Sequence, residues 1–150
     1  MCRINQQNTR GGAADGMLSF NISIHSIIRK GNQFLITKRP ATAKFGANLW
    51  DTPGGSLEIG EQPEDGLARE ILEETGLVIK VVRPLTVYSK IVEEREKQII
   101  CLVFLCQFVS GEVNLSKEHV EYRWVSQEEA GKLPLVDYLQ RALVDLDKNF

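Results

Sequence analysis

Glu70, Glu73 and Glu74 fall within five consecutive positions of a 150-residue chain, in the stretch PGGSLEIGEQPEDGLAREILEETGL that runs from Pro53 to Leu77. On a helix, residues three and four apart are surface neighbours, and like charges at that spacing repel. At about 100° per residue, the three carboxylates share a sector of about 100° on one face. Clustered carboxylates beside a glycine turn suit a hard cation such as Mg²⁺, which takes carboxylate and carbonyl oxygens, keeps several waters and is completed by substrate phosphates. The competing reading is a solvated acidic face on which Arg69 and Glu73 make an i,i+4 ion pair. A cation relieves the repulsion; a solvated face leaves it standing.

The elements that must position these groups follow from periodicity. From Gln62 to Thr75 the apolar residues Leu67, Ala68, Ile71 and Leu72 read as one helical stripe, Pro63 suits the first turn, and Gly76 stands where a helix ends in a left-handed residue. Gly66 inside that helix costs about 1 kcal/mol relative to alanine, and Gln62 is a weak N-cap. The helix is therefore not tuned for stability alone. Upstream, MLSFNISIHSII and QFLITKRP are β-rich and flank the turn signal RKGN, which predicts a hairpin. ATAKFGANLWDTPGG reads as a loop with a short strand near Trp50. Downstream, LVIKVVRPLTVYSKIV, KQIICLVFLCQFVSG and VEYRWVS are strands, the second apolar enough to be central in its sheet. LVDYLQRALVDLDKNF has the apolar spacing of a helix packed on a sheet. Strands on both sides of one helix and a second helix at the end give an α/β sandwich with a mixed sheet.

The composition bounds the partners. With 43% apolar and 25% charged residues the chain has material for one domain with a real core, and its net charge of −2 carries no basic surplus for a nucleic acid polymer or an anionic membrane. Residues 1–16 read as a loose leader and residues 17–150 as a single domain. No apolar stretch approaches a membrane span. Cys101 and Cys106 sit five apart in an apolar run, on opposite strand faces, which predicts reduced thiols and a cytoplasmic setting.

The spacing of the polar residues decides between the two readings of the glutamates. Gly55, Glu61, Arg69, Glu70, Ile71, Glu73, Glu74, Gly76 and Leu77 fit the Nudix box, G-x5-E-x7-R-E-U-x-E-E-x-G-U with U a bulky aliphatic residue, at every position. At roughly 6–7% usage per fixed residue type, a chance match is on the order of one in a million or rarer. The chain thus resembles the Nudix hydrolases, and FLITKRPATAKFGANLWDTPGG and SGEVNLSKEHVEYRWVS extend the likeness to the MutT-like branch from Met17 onward.

The resemblance implies a Nudix-type α/β/α sandwich with a mixed central sheet, and Mg²⁺ or Mn²⁺ held by the Gly55 carbonyl and by Glu70, Glu73 and Glu74. Glu61 and Arg69 then support those carboxylates by charge-assisted hydrogen bonds. The implied reaction is attack of water on a phosphorus of a nucleoside diphosphate linked to a further group, with Glu70 as the first choice of base. Glu118, six residues before Trp124, matches a further metal-binding glutamate of the branch, and Glu121 is its rival. Arg39 resembles an arginine that contacts substrate phosphate, and Asp137 falls roughly where a base-reading group sits. Trp50 and Trp124 suit core packing better than base stacking, and His25 and His119 read as structural or surface residues. Signatures of the coenzyme A, ADP-ribose, dinucleoside polyphosphate and NADH subfamilies are incomplete or absent. By elimination, the expected substrate is an ordinary or damaged (d)NTP, cleaved to NMP and pyrophosphate. A nucleotide-sugar or ADP-ribose pyrophosphatase and a non-enzymatic nucleotide sensor stay open, as does a homodimer.

Overall fold

The computed structural model describes residues 19–93 and 96–148; the leader expected over residues 1–16 lies outside them. Strand β1 (Ser19–Lys30) and strand β2 (Gln33–Lys38) meet antiparallel through Arg29↔Phe34 and Lys30↔Gln33, with Gly31 at φ 62° making the turn. The expected hairpin is thus present but short. β2 then leaves β1 and pairs with β3 (Trp50–Asp51) on one side and β7 (Glu121–Val125) on the other. The other long partners are β5 (Val78–Val92) and β6 (Lys97–Ser110), antiparallel to each other, with β6 parallel to β1 from Ser19↔Lys97 to Arg29↔Gln107. The described strands form a mixed sheet of seven, in which β6 lies between β1 and β5.

Helix α1 (Pro63–Thr75) covers one face and α3 (Asp137–Lys148) the other, with the single turn α2 (Gln127–Ala130) beside β7. Two cores result. Leu67 and Ile71 of α1 pack with Ile24, Ile28, Leu35, Phe104 and Cys106, while Leu139, Ala142, Leu143 and Leu146 of α3 pack with Ile27, Trp50, Cys101 and Val103. The sheet's period-two alternation sorts its residues between these cores. Cys101 and Cys106 accordingly lie on opposite faces as free, buried thiols. The architecture is the α/β/α sandwich that the sequence predicts. Among the described residues, no helix is long and apolar enough to cross a membrane.

The predicted stripe of α1 needs correction. Leu67 and Ile71 are fully buried, but Leu72 is 55% exposed and Ala68 is also on the solvent side. The buried sector continues instead through Glu74 and Thr75. The helix is rotated so that a carboxylate, rather than a leucine, faces the sheet. The strand β4 (Gly54–Ser56) was hidden because GGS has no strand propensity; its pairing with Ser23–His25 of β1 overrides propensity. A Cβ on Gly54 would lie 2.7 Å from the Cα of His25, so only glycine permits that approach.

Candidate active site

Arg69 is the hub of the exposed side of the site. Its Nε donates to Glu61 Oε1 at 2.6 Å and its Nη2 to Glu61 Oε2 at 3.0 Å, a bidentate pair. Its Nη1 reaches Glu70 Oε1 at 2.9 Å and Glu73 Oε2 at 3.3 Å. This cation offsets the repulsion among neighbouring carboxylates. The guanidinium, helped by the Glu58 backbone N–H, holds the Glu61 carboxyl down at about 2, and hydrogen bonds to Glu61 and Glu70 raise the guanidinium's own pKa. Glu61 also accounts for Gly66, since a Cβ there would sit 2.7 Å from Glu61 Oε2. A glycine unfavourable for the helix makes room for the carboxylate that fixes Arg69.

Glu74 occupies a different environment. It is 5% exposed and accepts a hydrogen bond from Gly54 N at 3.1 Å. Burial, followed by a hydrogen bond with the Glu118 side chain, raises its pKa well above the carboxylate range. Glu118 comes from the loop before β7, and backbone bonds bring it here. Asn114 N and Ser116 N donate to the carbonyls of Thr75 and Glu74 at the end of α1, at 2.8 and 2.9 Å, and Val120 N donates to Lys38 O at 3.0 Å. The last carbonyls of α1 are thereby satisfied by the same loop that carries Glu118. Glu121 points elsewhere, to Arg123 at 2.8 Å and Lys38 at 4.0 Å.

Between these groups, the backbone of Gly55 touches the Glu70 carboxylate so closely that a Cβ would overlap it. Burial raises the pKa of Glu70 against the opposing pull of Arg69. Among the described residues, no three His, Cys, Asp or Glu side chains are grouped as metal ligands. Glu70 and Glu73 turn to Arg69, and Glu74 turns to Gly54 and Glu118. The donor set nevertheless fits a hard cation. It consists of carboxylate and carbonyl oxygens, and the burial that makes a charged Glu74 costly is what a divalent charge beside it would offset.

Gly55, Glu74 and Glu118 line a cleft of about 570 Å³, a size suited to a small organic ligand. Arg39 lines it, tied to Asp51 Oδ2 at 3.0 Å and to the Phe45 carbonyl at 2.8 Å. Asp137 lines it too, paired with Lys90 at 3.0 Å, at the first turn of α3. Trp50 is core at 3% exposure, and Trp124 is half-buried against Phe108, so neither stacks in the cleft.

Two further groups line the cleft: His25, which the sequence reads as structural or surface, and Tyr138, to which it assigns no role. His25 stacks on Tyr138 with ring centroids 4.1 Å apart, accepts from or donates to Tyr138 Oη through Nδ1 at 2.8 Å, and meets Ser23 Oγ through Nε2. Burial lowers its pKa, which favours the neutral ring. The Ser23, His25 alternation along β1 and the Asp137–Tyr138 pair are visible in the sequence, but nothing local says that β1 and α3 meet.

The expectation for the loop carboxylates is specific. Glu118→Gln lowers the catalytic rate about tenfold or more and raises the Mg²⁺ requirement with nucleotide affinity nearly unchanged, while Glu121→Gln changes both little. Steady-state kinetics at several Mg²⁺ concentrations check it; a silent Glu118→Gln beside a crippling Glu121→Gln reverses the assignment.

The sandwich, the box and the cleft define a hydrolase of phosphoanhydride type, and comparison with known proteins agrees. The NUDIX domain model matches residues 19–146. An ADP-ribose pyrophosphatase of Methanocaldococcus jannaschii is 33% identical over 112 residues, 75% of this chain and 65% of that protein. The nucleoside triphosphatase NudI of Escherichia coli is 30% identical over 112 residues, 69% of this chain and 79% of that protein. The crystal structure of a MutT protein from Methanosarcina mazei Go1 superposes with a TM-score of 0.78 at 32% identity, covering 89% of this chain and 97% of that one. The chain belongs to the Nudix hydrolase family.

Proposed function

We propose that this Nudix enzyme hydrolyses a (d)NTP or a damaged dNTP to NMP and pyrophosphate with Mg²⁺ or Mn²⁺. The observation that carries the reading is the meeting of Glu74 and Glu118 in the cleft wall, with Gly55, whose backbone lies against the Glu70 carboxylate. Glu70, Glu73, Glu74, Glu118 and the Gly55 carbonyl would hold the metal. When bound, it neutralises phosphoryl charge and acidifies water.

The chain's own groups supply the rest. Glu70, whose pKa burial raises, takes the proton of the attacking water. As the oxygen–phosphorus bond forms, the bond to the leaving pyrophosphate breaks. Arg69, itself fixed by Glu61, keeps Glu70 and Glu73 in place. Arg39 presents its guanidinium to a phosphate, and Asp137 meets the nucleoside at the other part of the cleft.

A second reading, cleavage of ADP-ribose or a nucleotide sugar, is favoured by the Methanocaldococcus jannaschii relative, whose name states the first of these activities. Chromatographic analysis of the products from (d)NTPs, oxidised dNTPs, nucleotide sugars, ADP-ribose and dinucleotides separates them. The proposal requires NMP and pyrophosphate from a triphosphate; NMP and a sugar phosphate as the only products supports the second reading. A protein that binds nucleotides without turnover is the sensor, a role that the intact set of carboxylates argues against.

A further inference from the structure

We propose that His119 is a substrate-contacting residue whose imidazole donates a hydrogen bond to an oxygen of the substrate's phosphoryl chain. The assignment rests on the phosphoanhydride reading above and adds a residue to it. His119 forms part of the cleft wall and is only 9% exposed. Among the described residues, two buried side-chain polar atoms have no hydrogen-bond partner: Thr37 Oγ1 and His119 Nδ1. Thr37 does not line the cleft; His119 does. A buried polar group left unpaired costs stability that an apolar side chain would not cost, so the imidazole is an expense to the fold.

The surroundings say what the ring awaits. Its charged neighbours are matched already: Arg39 pairs with Asp51, and Glu118 bonds to Glu74. The backbone beside the ring is pinned, since Val120 N donates to Lys38 O at 3.0 Å, which limits how far the ring swings. With Nδ1 sealed and partnerless, the tautomer that leaves no buried N–H orphaned carries its proton on Nε2, which is then the donor for a ligand. The ring directly follows Glu118 in the chain, at the carboxylate end of the cleft where phosphates must lie. Phe45, Leu49, Tyr88 and Ile99 line the cleft as well and suit the nucleoside.

The test uses the full chain and a probe that cannot be hydrolysed, methylene-bridged tripolyphosphate with Mg²⁺, titrated calorimetrically. His119→Leu weakens binding about tenfold or more, the loss expected for a hydrogen bond to a charged group. Its thermal midpoint stays level or rises, because the orphaned nitrogen is gone. His119→Gln, whose amide N–H reaches the Nε2 position, stays within about threefold of the parent in affinity. His119→Leu binding as tightly as the parent overturns the inference, as does a parent that does not bind the probe. A fall in thermal midpoint in both variants with equal loss of affinity makes His119 structural and overturns it too. Because the readout is binding, the inference stands or falls apart from turnover: a chain that binds the probe through His119 but hydrolyses no nucleotide refutes the hydrolase reading alone.

Discussion

Glu74→Gln reduces turnover by about 10³-fold or more while the protein stays folded. The magnitude follows from removing a negative oxygen ligand that stabilises charge in the transition state, an effect worth several kcal/mol. The fold survives because glutamine is isosteric and its amide oxygen still accepts from Gly54 N, the bond that Glu74 Oε2 makes at 3.1 Å. The sign of the stability change is favourable. The pKa of Glu74 is raised by burial, so the native state holds its proton more tightly than the unfolded chain does. As pH rises above the ordinary carboxylate range, that difference costs the metal-free protein stability. The amide carries no such cost, and metal-free Glu74→Gln at pH 7 therefore melts at or above the parent temperature. Thermal denaturation beside kinetics at saturating Mg²⁺ checks both halves. Near-normal turnover would move the site elsewhere.

The adjacent glycines separate function from folding. Gly55→Ala places a methyl group where the Glu70 carboxylate now lies. The obstacle is the far end of a flexible side chain, so Glu70 swings away, the protein folds, and turnover falls about 10²-fold, as expected for displacing a reacting group by about 1 Å. Gly54→Ala meets backbone instead: its Cβ would press on the carbonyl of Ile24 and the Cα of His25, inside the β1–β4 pairing. That variant loses stability or fails to fold. Circular dichroism and activity of the two variants side by side check the contrast. Equal behaviour would mean that Gly55 serves the fold only.

Much of this was legible beforehand, for physical reasons that differ by element. α1 announced itself because Pro63, the Leu67–Ile71 spacing and Gly76 are local signals, and Gly76 does close the helix at φ 73°. Cys101 and Cys106 on opposite faces follow from strand periodicity alone. The parallel pairing of β1 with β6 was not legible, since its register joins residues far apart in sequence with no local mark. The rotation of α1 that buries Glu74 and exposes Leu72 is not legible in the sequence, because polarity ranks leucine as the inward residue and only the approach of Gly54 and Glu118 gives a carboxylate partners inside. α2 did leave a readable sign, the capping box of Ser126 and Glu129, with Glu129 N donating to Ser126 Oγ at 3.2 Å and Ser126 N to Glu129 Oε2 at 2.7 Å. Around the site, the box located Arg69 and its carboxylates because they share one helix and its leading loop. The His25–Tyr138 pair and His119 stayed silent, since each acquires its setting from elements that meet only in the folded chain.

If the carboxylates of α1 and Glu118 act together as a divalent-metal site for cleaving a nucleotide phosphoanhydride, cleavage must follow the metal. Phosphorus NMR of the preferred nucleotide, as Mg²⁺ is titrated into chelator-treated protein, reads this out. The expected result is no cleavage without metal, saturable cleavage to NMP and pyrophosphate with it, and no such rise in Glu74→Gln. Undiminished cleavage in excess chelator, or metal-dependent cleavage that Glu74→Gln leaves intact, would contradict it.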